Sequence, residues 1–134
     1  MSSCSGGDAA ARALAQIGTP FRLHGRTAGV ALDCVGLAAH AVGVPNPPNR
    51  YSLKGTNIQY IFAYMDKLNL RRLACTEGVE NGDIAVAECV VGQFHLMVVA
   101  ADGWVHSHAG LGKVVHTPGH PPWPVVALWR IQGE

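Results

Sequence analysis

Helical and strand-like patterning occupy separate halves of this chain, and that division limits its folds more than any other feature. Before residue 70, apolar residues recur at helical spacing. After residue 80 they come in short β-branched runs broken by turns. Asp8 is placed to cap an alanine-rich helix over 9–17, ended by Gly18 and Pro20. Residues 19–32 read as irregular or extended, with Phe21 and Leu23 as inward candidates. A second helix starts at Cys34 and stops near Gly43, ahead of the turn-rich Pro45-Asn46-Pro47-Pro48-Asn49. A third runs from Thr56 or Asn57 to about Leu68, its stripe formed by Ile58, Ile61, Phe62, Met65 and Leu68. Past the Glu80-Asn81-Gly82-Asp83 turn, strands are predicted over 84–89, 94–100, 104–108, 113–117 and 125–131, with Asp102-Gly103 as a hairpin turn. Helices followed by antiparallel strands specify an α+β fold, here one domain over 1–134 with residues 1–7 flexible.

Composition removes several classes of function. Charged residues make up 14% of the chain and net charge is +1, so no basic block points to nucleic acid. No apolar run approaches the length that crosses a bilayer, so membrane insertion is not expected. The first residues lack a basic segment followed by an apolar one, so the expectation is synthesis in the cytoplasm without a signal peptide. Four cysteines (Cys4, Cys34, Cys75, Cys89) form no CxxC, which supports neither a zinc knuckle nor a disulfide scaffold. Seven histidines are many for this length, and five of them fall between residues 95 and 120.

Asp33-Cys34-Val35-Gly36-Leu37 puts a cysteine at a helix start, where unpaired N–H groups and the macrodipole favour the thiolate. The bland reading is a small buried hydrophobe, the commoner fate of a free cysteine. A nucleophilic cysteine needs a base, and the base needs a third group to orient it. His95 opens the strand Phe94–Val99 and shares a face with Met97 and Val99. With Asp102-Gly103 as the turn, Val99 opposes His106 and Met97 opposes His108, which puts both returning histidines on the face of His95.

Taken together, these residues make the chain resemble the NlpC-type cell-wall cysteine peptidases, a papain-like family, and especially their phage-tail branch. The resemblance rests on Ile17-Gly18-Thr19-Pro20-Phe21, His24-Gly25-Arg26, Asp33-Cys34-Val35-Gly36-Leu37, Asn81-Gly82-Asp83-Ile84, His95-Leu96, Trp104-Val105-His106 and Val126-Ala127-Leu128-Trp129-Arg130, in the family's order over residues 9–131. It implies a papain-like α+β fold, with N-terminal helices packed on a C-terminal antiparallel sheet. It further implies Cys34 as nucleophile, His95 as general base and acid, and His106 as the residue orienting His95. The implied substrate is the peptidoglycan stem peptide, commonly its D-glutamyl to diamino acid link, with no metal or organic cofactor. Asp33 is then expected to bind the substrate's free amine or to support the site. Phe21 replaces a tyrosine common in relatives and borders substrate. Val35 replaces a serine and agrees with the phage branch, whose members act at the cell wall beside phage tail proteins. The simplest hairpin brings His108 nearer to His95, whereas alignment with the family selects His106; His108 stays the alternate and a substrate contact.

Three rivals compete with this reading. One is a zinc site built from His106 and His108 with His95 or His116, for which no supporting motif exists. Another is a non-catalytic tail or wall-binding module that keeps the fold. The third is a papain-like acyltransferase or thioesterase. His24, His40, His116 and His120 read as structural or exposed, and Cys4, Cys75 and Cys89 as packing or surface thiols.

Overall fold

The structure is a computed structural model that describes residues 5–45, 47 and 52–132. Cys4, and the part of the Pro45–Asn49 loop at Asn46, Pro48 and Asn49, lie outside the described residues. Helix α1 spans Gly6–Ala15. Its cap is Ser5 rather than Asp8: the Ser5 hydroxyl accepts the Asp8 N–H and the Asp8 carboxylate accepts the Ser5 N–H, a capping box. Gly6 and Gly7, expected to be flexible, therefore form the first helical turn. Two-residue strands β1 (Arg26–Thr27) and β2 (Ala31–Leu32) pair in a small hairpin within the stretch expected to be irregular or extended. Helix α2 is Cys34–Val42, stopped by Gly43 in the left-handed region, and α3 is Ile58–Asp66, entered through a single 3-10 turn.

Six strands follow: β3 (Leu70–Leu73), β4 (Ile84–Val90), β5 (Gln93–Ala100), β6 (Gly103–His108), β7 (Lys113–Pro118) and β8 (Val125–Ile131). They form one antiparallel sheet in the order β3-β8-β4-β5-β6-β7. This is the expected α+β architecture, with one strand added. β3 is a four-residue edge strand whose middle residues, Arg71 and Arg72, are exposed, so it carries no apolar alternation to read.

Period-two alternation sends Ile84, Val86, Leu96, Val98, Ala100 and Val105 to the helix side, where they pack with Leu32, Leu37, Ala41 and Ile61. Ala85, Ala87, Met97, Val99, Trp104 and Leu128 form a smaller cluster on the opposite face, closed by Trp123 and Val125. Two glycine contacts set how closely the helices approach the rest of the chain, α1 at the turn before β4 and α2 at the loop before β1. A Cβ on Gly82 would strike the backbone of Gly6, and one on Gly36 would strike the Gly25 carbonyl oxygen. Asp83, 1% exposed, receives both Arg130 Nε and Nη2 at 2.9 Å, joining the start of β4 to β8. The Asn81-Gly82-Asp83 motif thus holds the scaffold together.

Candidate active site

Asp33 starts α2. Its backbone is extended (φ −92°, ψ −175°), and its Oδ1 accepts the Gly36 N–H at 2.7 Å. Oδ2 accepts the His24 N–H at 2.8 Å, and Arg26 Nη1 lies 3.1 Å from Oδ1. The Asp33 carboxylate is thus buried and engaged on both oxygens, which fits a supporting role. Cys34 stands at the first helical position, 4% exposed.

The sheet forks beside it. The turn joining β5 to β6 is Ala101-Asp102, both with positive φ (51° and 56°), and not Asp102-Gly103. Ala100 pairs with Gly103, Val99 with Trp104 and Val98 with Val105, and the ladder stops there although both strands run on. Val99 therefore faces Trp104 instead of His106. Gly103 is needed for another reason: a Cβ there would meet Thr117 O and Pro118 on β7. Beyond Val98, β5 stays with β4 (His95 opposite Ala87), while β6 stays with β7 (His106 opposite Val115). The Phe94 N–H points out of the fork's β5 edge to Leu53 O at 2.8 Å. By alternation the Leu96 N–H points the same way, and it acts on the Cys34 sulfur.

Two histidines bridge the gap. His95 Nε2 lies 3.2 Å from His106 Nδ1, and His106 Nε2 lies 3.0 Å from Thr117 Oγ1. His108 is further off, its ring centroid 6.3 Å from that of His95, and its Nδ1 accepts the Leu111 N–H. Trp123 stands edge-on to the His95 and His106 rings at 5.3 and 5.4 Å and tilted against His108 at 5.6 Å. With Nε2 of His95 committed to His106, Nδ1 is the nitrogen left for a partner in the cleft.

That cleft has a volume of about 340 Å³ and is bordered by Phe21, Asp33, Cys34, His95, Ser107, His108 and Trp123. A smaller apolar gap of about 30 Å³ between α2 and α3 touches none of these histidines. All the candidate residues except His106 border the cleft; His106, 1% exposed, stands behind His95. Thr117 and Trp123 escaped the sequence reading, and Cys89, read there as a packing or surface thiol, borders the cleft. Thr117 and Trp123 arrive from β7 and the loop after it, and Cys89 reaches the cleft at a bulge in β4.

Electrostatics reverse one expectation. The helix start should favour a thiolate, yet burial pushes the Cys34 thiol up to about 12; the Leu96 and Val35 N–H groups offset this only in part, and Asp33 and Cys89 add to it. Burial, then the neighbouring His106 and His108, bring His95 down to about 3. Burial, then His108 and His116, bring His106 down to about 4. At neutral pH Cys34 rests as a thiol and His95 and His106 as neutral imidazoles. Among the described residues no three His, Cys, Asp or Glu side chains converge as metal ligands. Both nitrogens of His106 are already bonded, and His116 Nε2 lies 3.0 Å from Ala100 O.

No family model and no curated protein matches the chain by sequence. Solved structures do match. NlpC1 from Trichomonas vaginalis aligns with 98% of the chain at a TM-score of 0.71 and 16% identity. The NlpC/p60 domain of the peptidoglycan hydrolase SagA aligns with 85% at 0.59 and 15% identity. This is the NlpC/p60 fold. The peptidoglycan hydrolase RipB from Mycobacterium tuberculosis shares it over 96% of the chain at 0.60 and 20% identity. The chain spans 45% of NlpC1, 89% of the SagA domain and 65% of RipB. In this NlpC/p60 fold the forked hairpin and the start of α2 face each other across the cleft.

Proposed function

We propose that the protein is a cysteine hydrolase of peptidoglycan stem peptides, with Cys34 as nucleophile, His95 as general base and acid, and His106 orienting His95. The observation that carries this is the placement of Cys34 and His95 on one cleft, with His95 Nδ1 left over by the His106 contact. Because the resting pair is neutral, proton transfer accompanies attack. His95 Nδ1 takes the Cys34 proton as the sulfur adds to the amide carbonyl carbon. The oxyanion is held by N–H groups of the first turn of α2, where those of Cys34 and Val35 have no intrahelical acceptor; one such donor is worth about 3 kcal/mol. The protonated His95 returns its proton to the leaving amine, whose C–N bond breaks to leave a thioester. Water then gives a proton to His95 and its oxygen to the acyl carbon, releasing the acid and restoring the thiol.

His95 can accept that proton only if its Nε2 carries the hydrogen. His106 Nδ1 must then accept, His106 Nε2 must donate, and the acceptor is the Thr117 hydroxyl. Thr117 is thus a positioning residue for the base. Cleavage of the D-glutamyl to diamino acid link, action at the cell wall and delivery within a phage-like tail complete this reading and rest on the sequence resemblance. Incubation of wild type and Cys34→Ala with defined muropeptides, read by mass spectrometry, tests it. The expected result is amide cleavage by wild type alone. Cleavage retained in Cys34→Ala overturns the assignment; turnover of acyl thioesters with muropeptides untouched selects the acyltransferase or thioesterase reading.

A further inference from the structure

Beyond the fork no ladder to β5 holds β6, whose backbone pairing continues with β7 as far as His108. Val105 and Ser107 face the helices there, and Trp104 and His106 the opposite side. Ser107 is fully buried, and its hydroxyl donates to the Leu32 carbonyl oxygen at 2.6 Å. Leu32, the last residue of β2, is fully buried too, and its N–H donates to Pro20 O at 3.0 Å. Cys34 follows two residues later at the head of α2. Two adjacent residues of β6 therefore hold the two sides of the site. His106 meets His95 at 3.2 Å from one face, and Ser107 anchors the approach to Cys34 from the other.

Resting on the hydrolase reading, we propose that Ser107 is a positioning residue: by pinning Leu32 O to β6, it sets the distance of the Cys34 sulfur from His95 Nδ1. Its hydroxyl takes over, beyond the fork, the docking that the ladder provides before it. A neutral Cys34–His95 pair passes its proton only across a short, aligned gap, so a shift of about 1 Å can cost about a hundredfold in rate. With alanine at this position the buried Leu32 carbonyl loses that donor, and β2 and β6 are free to move apart.

Two rates test this in the full-length protein, each variant checked for an unchanged near-ultraviolet spectrum. On defined muropeptides, Ser107→Ala is expected to lower kcat at least about tenfold with KM within about twofold. In the His106→Ala background the same substitution is expected to cost far less, because the two residues act on one pair. Ser107→Cys, similar in size with a weaker donor, is expected to fall between, and it carries the test if the alanine variant does not fold. The second rate needs no peptide: alkylation of Cys34 by iodoacetamide, read by mass spectrometry and expressed as the ratio of protein with His95 to protein with His95→Ala. That ratio cancels access to the buried sulfur and is expected to fall at least about threefold in Ser107→Ala. An unchanged ratio, or a kcat loss that simply adds to that of His106→Ala, overturns the inference and leaves the hydrolase reading standing. A lowered ratio with no muropeptide cleaved by wild type does the reverse. A ratio of one in the protein that retains Ser107 removes His95 as the base, and Ser107 with it.

Discussion

The β5–β6 hairpin is two different structures in one. From the Ala101-Asp102 turn to Val98 and Val105 it is zipped, every residue paired and apolar packing on both faces. Beyond that the same strands separate, and His95, His106 and His108 sit where ladder contacts would otherwise close the gap. A closed ladder leaves no backbone donor to spare. The fork releases the Leu96 N–H toward Cys34 and makes room for one imidazole to reach another. The zipped half carries apolar packing and the open half holds the proposed catalytic groups, so substitutions in the two halves should fail differently.

The largest expected effect is in the open half. Cys34→Ala should lower hydrolysis to background while lowering the unfolding free energy in urea by only about 1 kcal/mol, since one buried sulfur atom is removed and the small apolar side chain is kept. His106→Ala comes next: with His95 no longer oriented, kcat should fall by about a hundredfold to a thousandfold with KM nearly unchanged. His106→Asn, which keeps a hydrogen-bonding group, should recover part of that loss. An equal loss in KM would mean that His106 contacts substrate.

In the zipped half the response should be structural. Gly103→Ala forces a Cβ against Thr117 O, so β6 and β7 must part, at a cost of about 2 kcal/mol in urea denaturation. Activity per folded molecule should hold. If it falls instead, strain passes along β6 into His106, and the two halves are not independent.

This division also explains what could be read from the sequence. Asp33, Cys34 and Gly43 announce α2 through local chemistry, a cap at one end and a left-handed stop at the other, and the helix is where it was expected. The assumed Asp102-Gly103 register put His106 and His108 on the face of His95, and because the true register differs by two residues the face is unchanged. The register itself was out of reach, because Ala101 adopts a positive φ against its own preference and Gly103 is demanded by a strand ten residues further on. Likewise the charge state of Cys34 follows from burial beneath the sheet, a tertiary fact that outweighs its position at a helix start.

Thr117→Val separates orientation from bulk. It keeps the volume of Thr117 and removes the oxygen 3.0 Å from His106 Nε2, so His106 is freed to carry its proton on Nδ1 and to donate it to His95. His95 would then present N–H rather than a lone pair to Cys34. Activity should drop about tenfold, or about 1.4 kcal/mol, with Thr117→Ser near wild type. Nitrogen-15 spectra of the ring should show the His106 tautomer exchanged; an unchanged tautomer would remove Thr117 from the relay.

The smallest effect is one of pH, and it measures how dry the fork is. Burial lowers His95 to about 3 and His106 to about 4, while in the unfolded chain each titrates near 6.5. Between those values the unfolded chain binds more protons than the folded one, so stability falls as pH falls through 6.5 and is fully present above it. From pH 7 to pH 6 the loss is about 0.7 kcal/mol for each histidine held neutral, set by the unfolded value alone. His106→Gln should therefore lose about 0.7 kcal/mol less than wild type over that interval. An identical loss in the two proteins would mean that His106 charges freely in the folded state, and that the open half is as wet as the surface around it.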